Sequence, residues 1–384
     1  MTTKMRDAAI IGIGQTEFSR RSGRSELKLA LEAITAAVAD AGIPLQQVDG
    51  LVTYSMDSND PAKVAGALDL ELSYFGQAGY GGGGAGQAVR DAAWAVGTGA
   101  ASVVVVYRAF NERSGRRLGQ PGVSYAGPGL DAFNVPYGNA APAQQVALGV
   151  RRYMHEFGVT NSHFAPLSVA FRKHAATNPA AYFYGLPITA EDHDESRWIV
   201  EPVLRLLDCC LESDGGAALV ITTVDRARDL DQTAVCVVAA AQGASPAQPN
   251  KNYYRDQTTS LVETRVVGRK LWESAGMTVD DVQAAIIYDN FLPLVLMQLE
   301  ALGFCRPGEA KDFVKDGAVE IGGRLPLNTN GGQVGEAYIH GMNGMLEGVR
   351  QVRHTAVNQV EGLEHILCTA GGAVPTSGVI LGKL

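Results

Sequence analysis

The chain has no run of about 20 apolar residues, the length a membrane-crossing helix needs. Cysteine is scarce. Cys209, Cys210, Cys236, Cys305 and Cys368 are five in number, and no two stand in a CxxC spacing. An odd count without that spacing argues against a disulfide framework or a cysteine zinc site, and it fits a reducing cytoplasm. The seven histidines are scattered and no HExxH occurs, so no metal is expected. The serine-hydrolase elbow GxSxG is missing, and so is the phosphate loop GxxxxGK[ST]. Gly12-Ile13-Gly14 follows an apolar run, but Glu17 stands where GxGxxG requires its third glycine. The dinucleotide reading is correspondingly weak. Basic charge is also short. A net charge of -8 and a pI near 5.4 argue against nucleic acid or an anionic membrane as the main partner. Met1 to Ala9 is polar and leads directly into a strand-like segment, so no signal peptide is expected.

What is present is ordinary globular composition: 384 residues, 46% hydrophobic, with 45 glycines gathered in short clusters. Ala8 to Gly14 reads as a buried strand, and Leu27 to Ala41 as an amphipathic helix stopped by Gly42. Val48 to Tyr54 is a second strand. Gly81 to Gly84 opens a helix, followed by the strand Ser102 to Tyr107. Phe110 to Pro202 has a different character, with aromatics, prolines and two helical segments, and reads as an insertion over the core.

After about residue 230 the pattern restarts. Ala41-Gly42-Ile43 matches Ala275-Gly276-Met277, and Leu51-Val52-Thr53-Tyr54 matches Ala285-Ile286-Ile287-Tyr288 at the same offset, without gaps. A glycine-rich turn, a helix and a terminal strand occur at Gly81–Tyr107 and again at Gly331–Thr369. Such a long-period repeat predicts a duplicated α/β body: a half at 1–230 that includes the insertion at about 110–202, and a half at 231–384. Packed together, the two halves would form five layers, α/β/α/β/α.

Three segments carry residues suited to chemistry at strand ends and glycine-rich turns. They are Tyr288-Asp289-Asn290-Phe291, the long run Asn328 to Gly344, and Cys368-Thr369-Ala370-Gly371-Gly372. Cys209-Cys210 offers thiols, but its apolar surroundings favour buried core residues.

With these motifs in view, the chain resembles the thiolase superfamily over nearly its whole length, in its sterol-carrier-protein-x and lipid-transfer-protein-like branch. The family's nucleophilic cysteine falls on Gly82. The histidine of its Gly-His-Pro turn falls on Tyr338, after Asn328-Thr329-Asn330-Gly331-Gly332. The segment that begins with Asn or His in thiolases begins here with Tyr288, and Cys368 matches the second cysteine. Thiolysis needs a thiolate, and glycine supplies none. Together with Tyr107 to Arg113, these motifs resemble the subgroup of aldolases that cleave steroid side chains.

That resemblance implies a retro-aldol reaction on a steroid β-hydroxyacyl-CoA, releasing a ring ketone and a short acyl-CoA such as propionyl-CoA. No covalent intermediate and no separate cofactor are implied, since CoA arrives as part of the substrate. A homodimeric core and an OB-fold partner subunit with a zinc-ribbon element are implied as well. A base must take the hydroxyl proton, an acid must protonate the enolate carbon, and donors must hold the enolate oxygen. Tyr288 and Tyr338 are expected to share the acid and base roles. Asp289 and His340 are their expected orienting neighbours, although His340 also suits a structural turn. Gly371 and Gly372 amides would form the oxyanion site, Gly82 would leave room for the ring-bearing carbon, and Tyr254 would line the entrance. Arg108, Arg113, Arg116 and Arg117 form a basic cluster that could meet CoA phosphates or a partner but suits a solvated face better, and no role is assigned to it. The competing readings are a thiolase that uses Cys368 and a non-catalytic acyl-CoA or lipid carrier.

Overall fold

The computed structural model describes residues 5–115, 117, 119, 134–230, 232–245 and 258–384. The Tyr254 segment and Arg116 lie outside these residues. Eleven strands are described: β1 (Ala8–Gln15), β2 (Gly50–Tyr54), β3 (Tyr74–Ala78), β4 (Val103–Asn111), β5 (Trp198–Val200), β6 (Leu204–Arg205), β7 (Asp214–Thr223), β8 (Val235–Gly243), β9 (Ala284–Ile286), β10 (His365–Ala370) and β11 (Thr376–Lys383). Among the described residues the helices of eight residues or more are α1 (Glu26–Asp40), α2 (Pro61–Leu68), α3 (Ala85–Gly97), α4 (Pro142–Phe157), α5 (Ala165–Thr177), α6 (Val262–Ala275), α7 (Leu292–Leu302) and α8 (Met342–Arg353).

Nine strands join in the order β3-β2-β4-β7-β1-β8-β11-β10-β9. The seam between β1 and β8 is short, with Ala9 opposite Cys236 and Ile10 opposite Val235. Outward from it the two arms repeat one plan. Each runs from the first strand of its half to the last, then inward through the sequence to the second. The parallel pairs β2/β4 and β9/β10 correspond, and so do the antiparallel pairs β4/β7 and β10/β11. The third strand of the first arm, β3, has no full counterpart. In its place a single parallel bridge joins Ala285 to Leu327.

Strand side chains alternate between faces, and here both faces of both arms are covered. Val103 and Val105 pack outward with α1, whereas Val104 and Val106 pack inward with α3. In the second arm Ile366 and Cys368 face α8 and the same central core. Leu367 and Ile380 face α6 and α7 on the far side. The result is five layers, with α3 and α8 in the middle. Burial on both faces is why these strands read as continuous apolar runs.

The Gly12 and Gly14 pair also finds its reason here. A Cβ at Gly12 would lie 2.2 Å from the Ala37 carbonyl oxygen, and one at Gly14 would lie 2.3 Å from that of Ala33. The glycines let α1 lie directly on β1. They are packing residues within a strand, not a phosphate turn.

β4 continues through Asn111, past the expected end at Tyr107 and into the stretch read as insertion. That extension matters for the site, because it carries Arg108 and Phe110 on one face and ends just before Glu112. After it come α4, α5 and the β5/β6 hairpin, which pack onto the outer core of the second arm.

Candidate active site

The site forms where the glycine-rich turns that open the two central helices meet the ends of β2 and β9. Tyr288 follows β9. Its amide donates to Thr369 Oγ1 at 2.9 Å, and its carbonyl accepts from Gln298 Nε2 at 2.7 Å. Thr369 in turn donates to Gln298 Oε1 at 3.1 Å. Backbone and side chains from β10 and α7 thus fix the tyrosine at both ends of its peptide unit.

Tyr338 lies in the loop before α8. Its amide donates to Ser213 Oγ at 3.3 Å, and it forms a parallel bridge with Glu212. The two phenol oxygens meet at 3.1 Å in a buried hydrogen bond. Burial pushes both phenols well above their usual range; for Tyr338 the neighbouring Tyr288 adds to this, while for Tyr288 the hydrogen bond works in the opposite sense. Both are therefore proton donors at neutral pH.

Gly82 lies directly against this pair. A Cβ there would stand 1.8 Å from Tyr288 Oη and 2.6 Å from Cζ. The space that the missing side chain leaves is thus filled by the Tyr288 hydroxyl. This corrects the expectation that Gly82 opens room for a ring-bearing carbon of the substrate.

His340 is buried, with φ at +48°, so it is indeed a turn residue. Its ring also reaches the site, edge-on to Tyr338 at 4.9 Å and to Phe110 at 4.6 Å between centroids. Arg108 Nη2 lies 2.6 Å from His340 Nδ1. A guanidinium can only donate, so Nδ1 accepts and the ring proton sits on Nε2. Burial first, and then the Arg108 charge, hold the imidazole well below its usual pKa, and it stays neutral.

Arg108 is fully buried, which overturns its assignment to a solvated basic face. It donates to the Tyr54 carbonyl and lies 3.8 Å from Asp57. Its guanidinium is stacked between the Tyr54 ring at 4.3 Å and the Phe110 ring at 4.1 Å. Arg117 pairs instead with Glu212 at 2.5 Å, and Arg113 is half-buried.

Asp289 does not touch the tyrosines. Its carboxylate accepts from the Gln333 amide at 2.9 Å and the Val334 amide at 3.3 Å. It caps the helical turn Gly332–Gly335. Burial raises it to about 6, and those amides hold it down from going higher. The expected orienting role therefore gives way to a structural one, because its acceptor capacity is spent on backbone donors.

Gly371 lies against the first turn: a Cβ on it would come within 2.8 Å of Gly83 Cα, and its φ is +83°. Gly372 lies beside the Gln298 side chain, where a Cβ would be 3.2 Å from Nε2. Gly371 thus adjoins the first turn, and Gly372 adjoins Tyr288's support. A cavity of about 260 Å³ adjoins the same turn, lined by Tyr80, Gly83, Gln87, Gly243 and Pro375.

Tyr54 also belongs to the site, although no motif in the sequence marks it. Its hydroxyl donates to the His340 carbonyl at 3.0 Å. It is the repeat partner of Tyr288, so the duplication itself pointed to it. Among the thiols, Cys368 is fully buried, and burial pushes it far above the usual thiol range. Cys209 and Cys210 are shifted the same way. None is poised as a thiolate. Among the described residues no His, Cys, Asp and Glu cluster could hold a metal, and no helix is long and apolar enough to cross a membrane.

Residues 246–382 match the family model for a thiolase C-terminal domain. A 17-hydroxy-3-oxo-4-pregnene-20-carboxyl-CoA lyase from Mycobacterium tuberculosis is 58% identical over 98% of this chain and 99% of its own. A steroid side-chain-cleaving aldolase from Thermomonospora curvata is 56% identical over 98% and 97%. The solved structure of an Ltp2-ChsH2(DUF35) aldolase superposes with a TM-score of 0.94 at 55% identity, covering 100% of this chain and 99% of that one. The chain belongs to the thiolase superfamily, in the sterol-carrier-protein-x and lipid-transfer-protein-like branch that contains the steroid side-chain-cleaving aldolases.

Proposed function

We propose that the protein is a carbon–carbon lyase that cleaves a steroid β-hydroxyacyl-CoA by a retro-aldol step, giving a ring ketone and a short acyl-CoA such as propionyl-CoA. One observation carries the reading: the Tyr288 hydroxyl stands where the thiolase nucleophile would be, 1.8 Å from the Cβ that Gly82 lacks. An acyl-transferring thiol and this phenol are mutually exclusive at that place. The site has exchanged covalent catalysis for proton transfer.

Tyr288 and Tyr338 share the acid and base work through their common hydrogen bond. One relays the proton of the substrate hydroxyl, and the pair returns a proton to the enolate carbon. Gly371 and Gly372, adjoining the first turn, offer amides for the thioester oxygen. His340, locked by Arg108, supports the Tyr338 ring edge. The mirrored strand order supports a division at residues 1–230 and 231–384. The similar aldolase carries DUF35 in its name, which supports an OB-fold partner of that kind here. A homodimeric core, a zinc ribbon in the partner and a cytoplasmic setting complete the proposal.

The test is co-expression with such a partner and incubation with a 17-hydroxy steroid carboxyl-CoA. Mass analysis should find the ring ketone and propionyl-CoA in equal amounts, formed without free CoA. Turnover of a 3-ketoacyl-CoA that consumes CoA would instead establish a thiolase. Tight binding with no product from either substrate would establish a carrier.

A further inference from the structure

Two neutral phenols do not make a base. Each holds its proton at neutral pH, so the hydroxyl proton of the substrate needs a further acceptor. Glu112 lies within electrostatic reach of the pair, since its charge raises both phenols. It follows β4, and β4 places Asn111 opposite Asp214 on β7. Past that pair the chain turns, and the Arg113 and Ser114 amides stay on the Asp214 carboxylate, one residue from Ser213, whose hydroxyl holds the Tyr338 amide. Alternation along β4 puts Arg108 and Phe110 on one face, and Glu112 follows directly after the strand. The first two of these contact His340 directly.

Glu112 is 3% exposed, and its Oε2 has no hydrogen-bond partner among the described residues. A buried carboxylate oxygen left without a partner is costly, and in native proteins it marks a place where a proton, a water or a ligand comes and goes. Its charged neighbours are all committed elsewhere. Glu212 holds Arg117 and the Gly119 amide. Asp214 accepts from the Ser22, Arg113 and Ser114 amides. Arg108 holds His340 and faces Asp57. Cys210, Tyr288 and Tyr338 are the remaining titratable groups within its field. Burial and then Glu212 raise the Glu112 carboxyl well above the usual range, which suits a group that must take up a proton and give it back.

We propose that Glu112 is the proton acceptor behind the Tyr288–Tyr338 pair, in a relay that rests on the retro-aldol reading. The substrate hydroxyl gives its proton to a tyrosine oxygen while that tyrosine passes its own proton to Glu112, directly or across one water. The O–H electron pair becomes the second bond of the ketone. The bond between the hydroxyl-bearing carbon and the carbon α to the thioester breaks, and its pair enters the enolate. The enolate carbon then takes a proton from the pair, and Glu112 returns the one it held. Net, one proton moves from oxygen to carbon, and Glu112 ends as it began.

The test is Glu112→Gln in the complex with its partner, assayed on the steroid β-hydroxyacyl-CoA. kcat should fall by about 100-fold or more while KM stays within about threefold, the size of effect expected for a lost acid–base group. The wild-type kcat should decline at low pH as Glu112 becomes protonated. The residual rate of Glu112→Gln should lack that limb, and Glu112→Asp should recover part of the rate with the limb displaced. A Glu112→Gln rate within about threefold of wild type, or a residual rate that keeps the limb, overturns the proposal. If Glu112→Gln does not fold, Glu112→Asp decides alone, and an undisplaced limb overturns it. Absence of cleavage by the wild type would sink the retro-aldol reading itself, whereas cleavage that is indifferent to Glu112 sinks only the relay.

Discussion

A side chain at residue 82 and the phenol of Tyr288 compete for one place: a Cβ on Gly82 would stand 1.8 Å from Tyr288 Oη. Tyr288 cannot retreat easily, because Thr369 and Gln298 hold its backbone from both sides. Even Gly82→Ala must therefore push the hydroxyl away from Tyr338. A displacement of that size at the reacting groups is expected to lower kcat/KM by about 100-fold. Gly82→Cys should lose cleavage likewise and gain no thiolysis, since its sulfur would face the phenol. Steady-state kinetics of both variants, with thermal melts to confirm folding, check this. Near-normal cleavage by Gly82→Ala would show that the contact is slack.

Tyr288→Phe and Tyr338→Phe each remove one partner of the 3.1 Å bond while keeping the ring. Each should lower kcat by about 100- to 10,000-fold, the range for losing a general acid or base. The double variant should be scarcely worse than the poorer single one, because the two groups act as a unit. Stability should change by only about 1 kcal/mol, the usual net value of a hydrogen bond. Additive losses in kcat would mean that the tyrosines act independently.

The duplication and the two tyrosines were legible because each leaves a local mark in the sequence: an apolar run, a glycine stop, a residue out of place in a known motif. The supporting residues were less so. Arg108 reads as one member of a charged stretch, and only the extension of β4 through Asn111 turns it inward. Asp289 adjoins Tyr288 in sequence but turns to the Gln333 and Val334 amides, which a strand-end motif does not reveal. Tyr54 was accessible through the repeat, since it stands where Tyr288 stands in the other half. The room assigned to Gly82 was misjudged because a sequence records a missing side chain but not what fills the space.

Arg108 should be as important to folding as to the site. Its side chain and that of Asp57 are both fully buried, 3.8 Å apart. Arg108→Ala leaves the Asp57 charge without its counter-ion and leaves the His340 Nδ1 without its donor. Removing one member of a buried ion pair is expected to cost about 3–5 kcal/mol. Arg108→Lys keeps the charge but not the fork that reaches both His340 and the Tyr54 carbonyl, so it should recover only part of that. Urea unfolding of the three proteins checks the order. A loss under about 1 kcal/mol for Arg108→Ala would mean that water replaces the guanidinium at this site.

Glu263 provides a pH test away from the active site. It stands in the first turn of α6, is fully buried, and neither of its carboxylate oxygens has a partner from another of the described residues. Burial raises it from 4.5 to about 7. Between those values the folded protein holds a proton that the unfolded chain has released, so stability falls as pH rises through that interval and stays low above it. Glu263→Gln removes the ionisation and keeps the shape. It should therefore stabilise the protein at pH 8 by on the order of 3 kcal/mol, and change it little at pH 4.5. Asp289 and Glu336, also raised by burial to about 6 and about 7, tilt the stability profile the same way in both proteins. The diagnostic quantity is accordingly the difference between wild type and variant at each pH, read from urea unfolding. A gain of equal size at both pH values would assign the effect to packing rather than to charge.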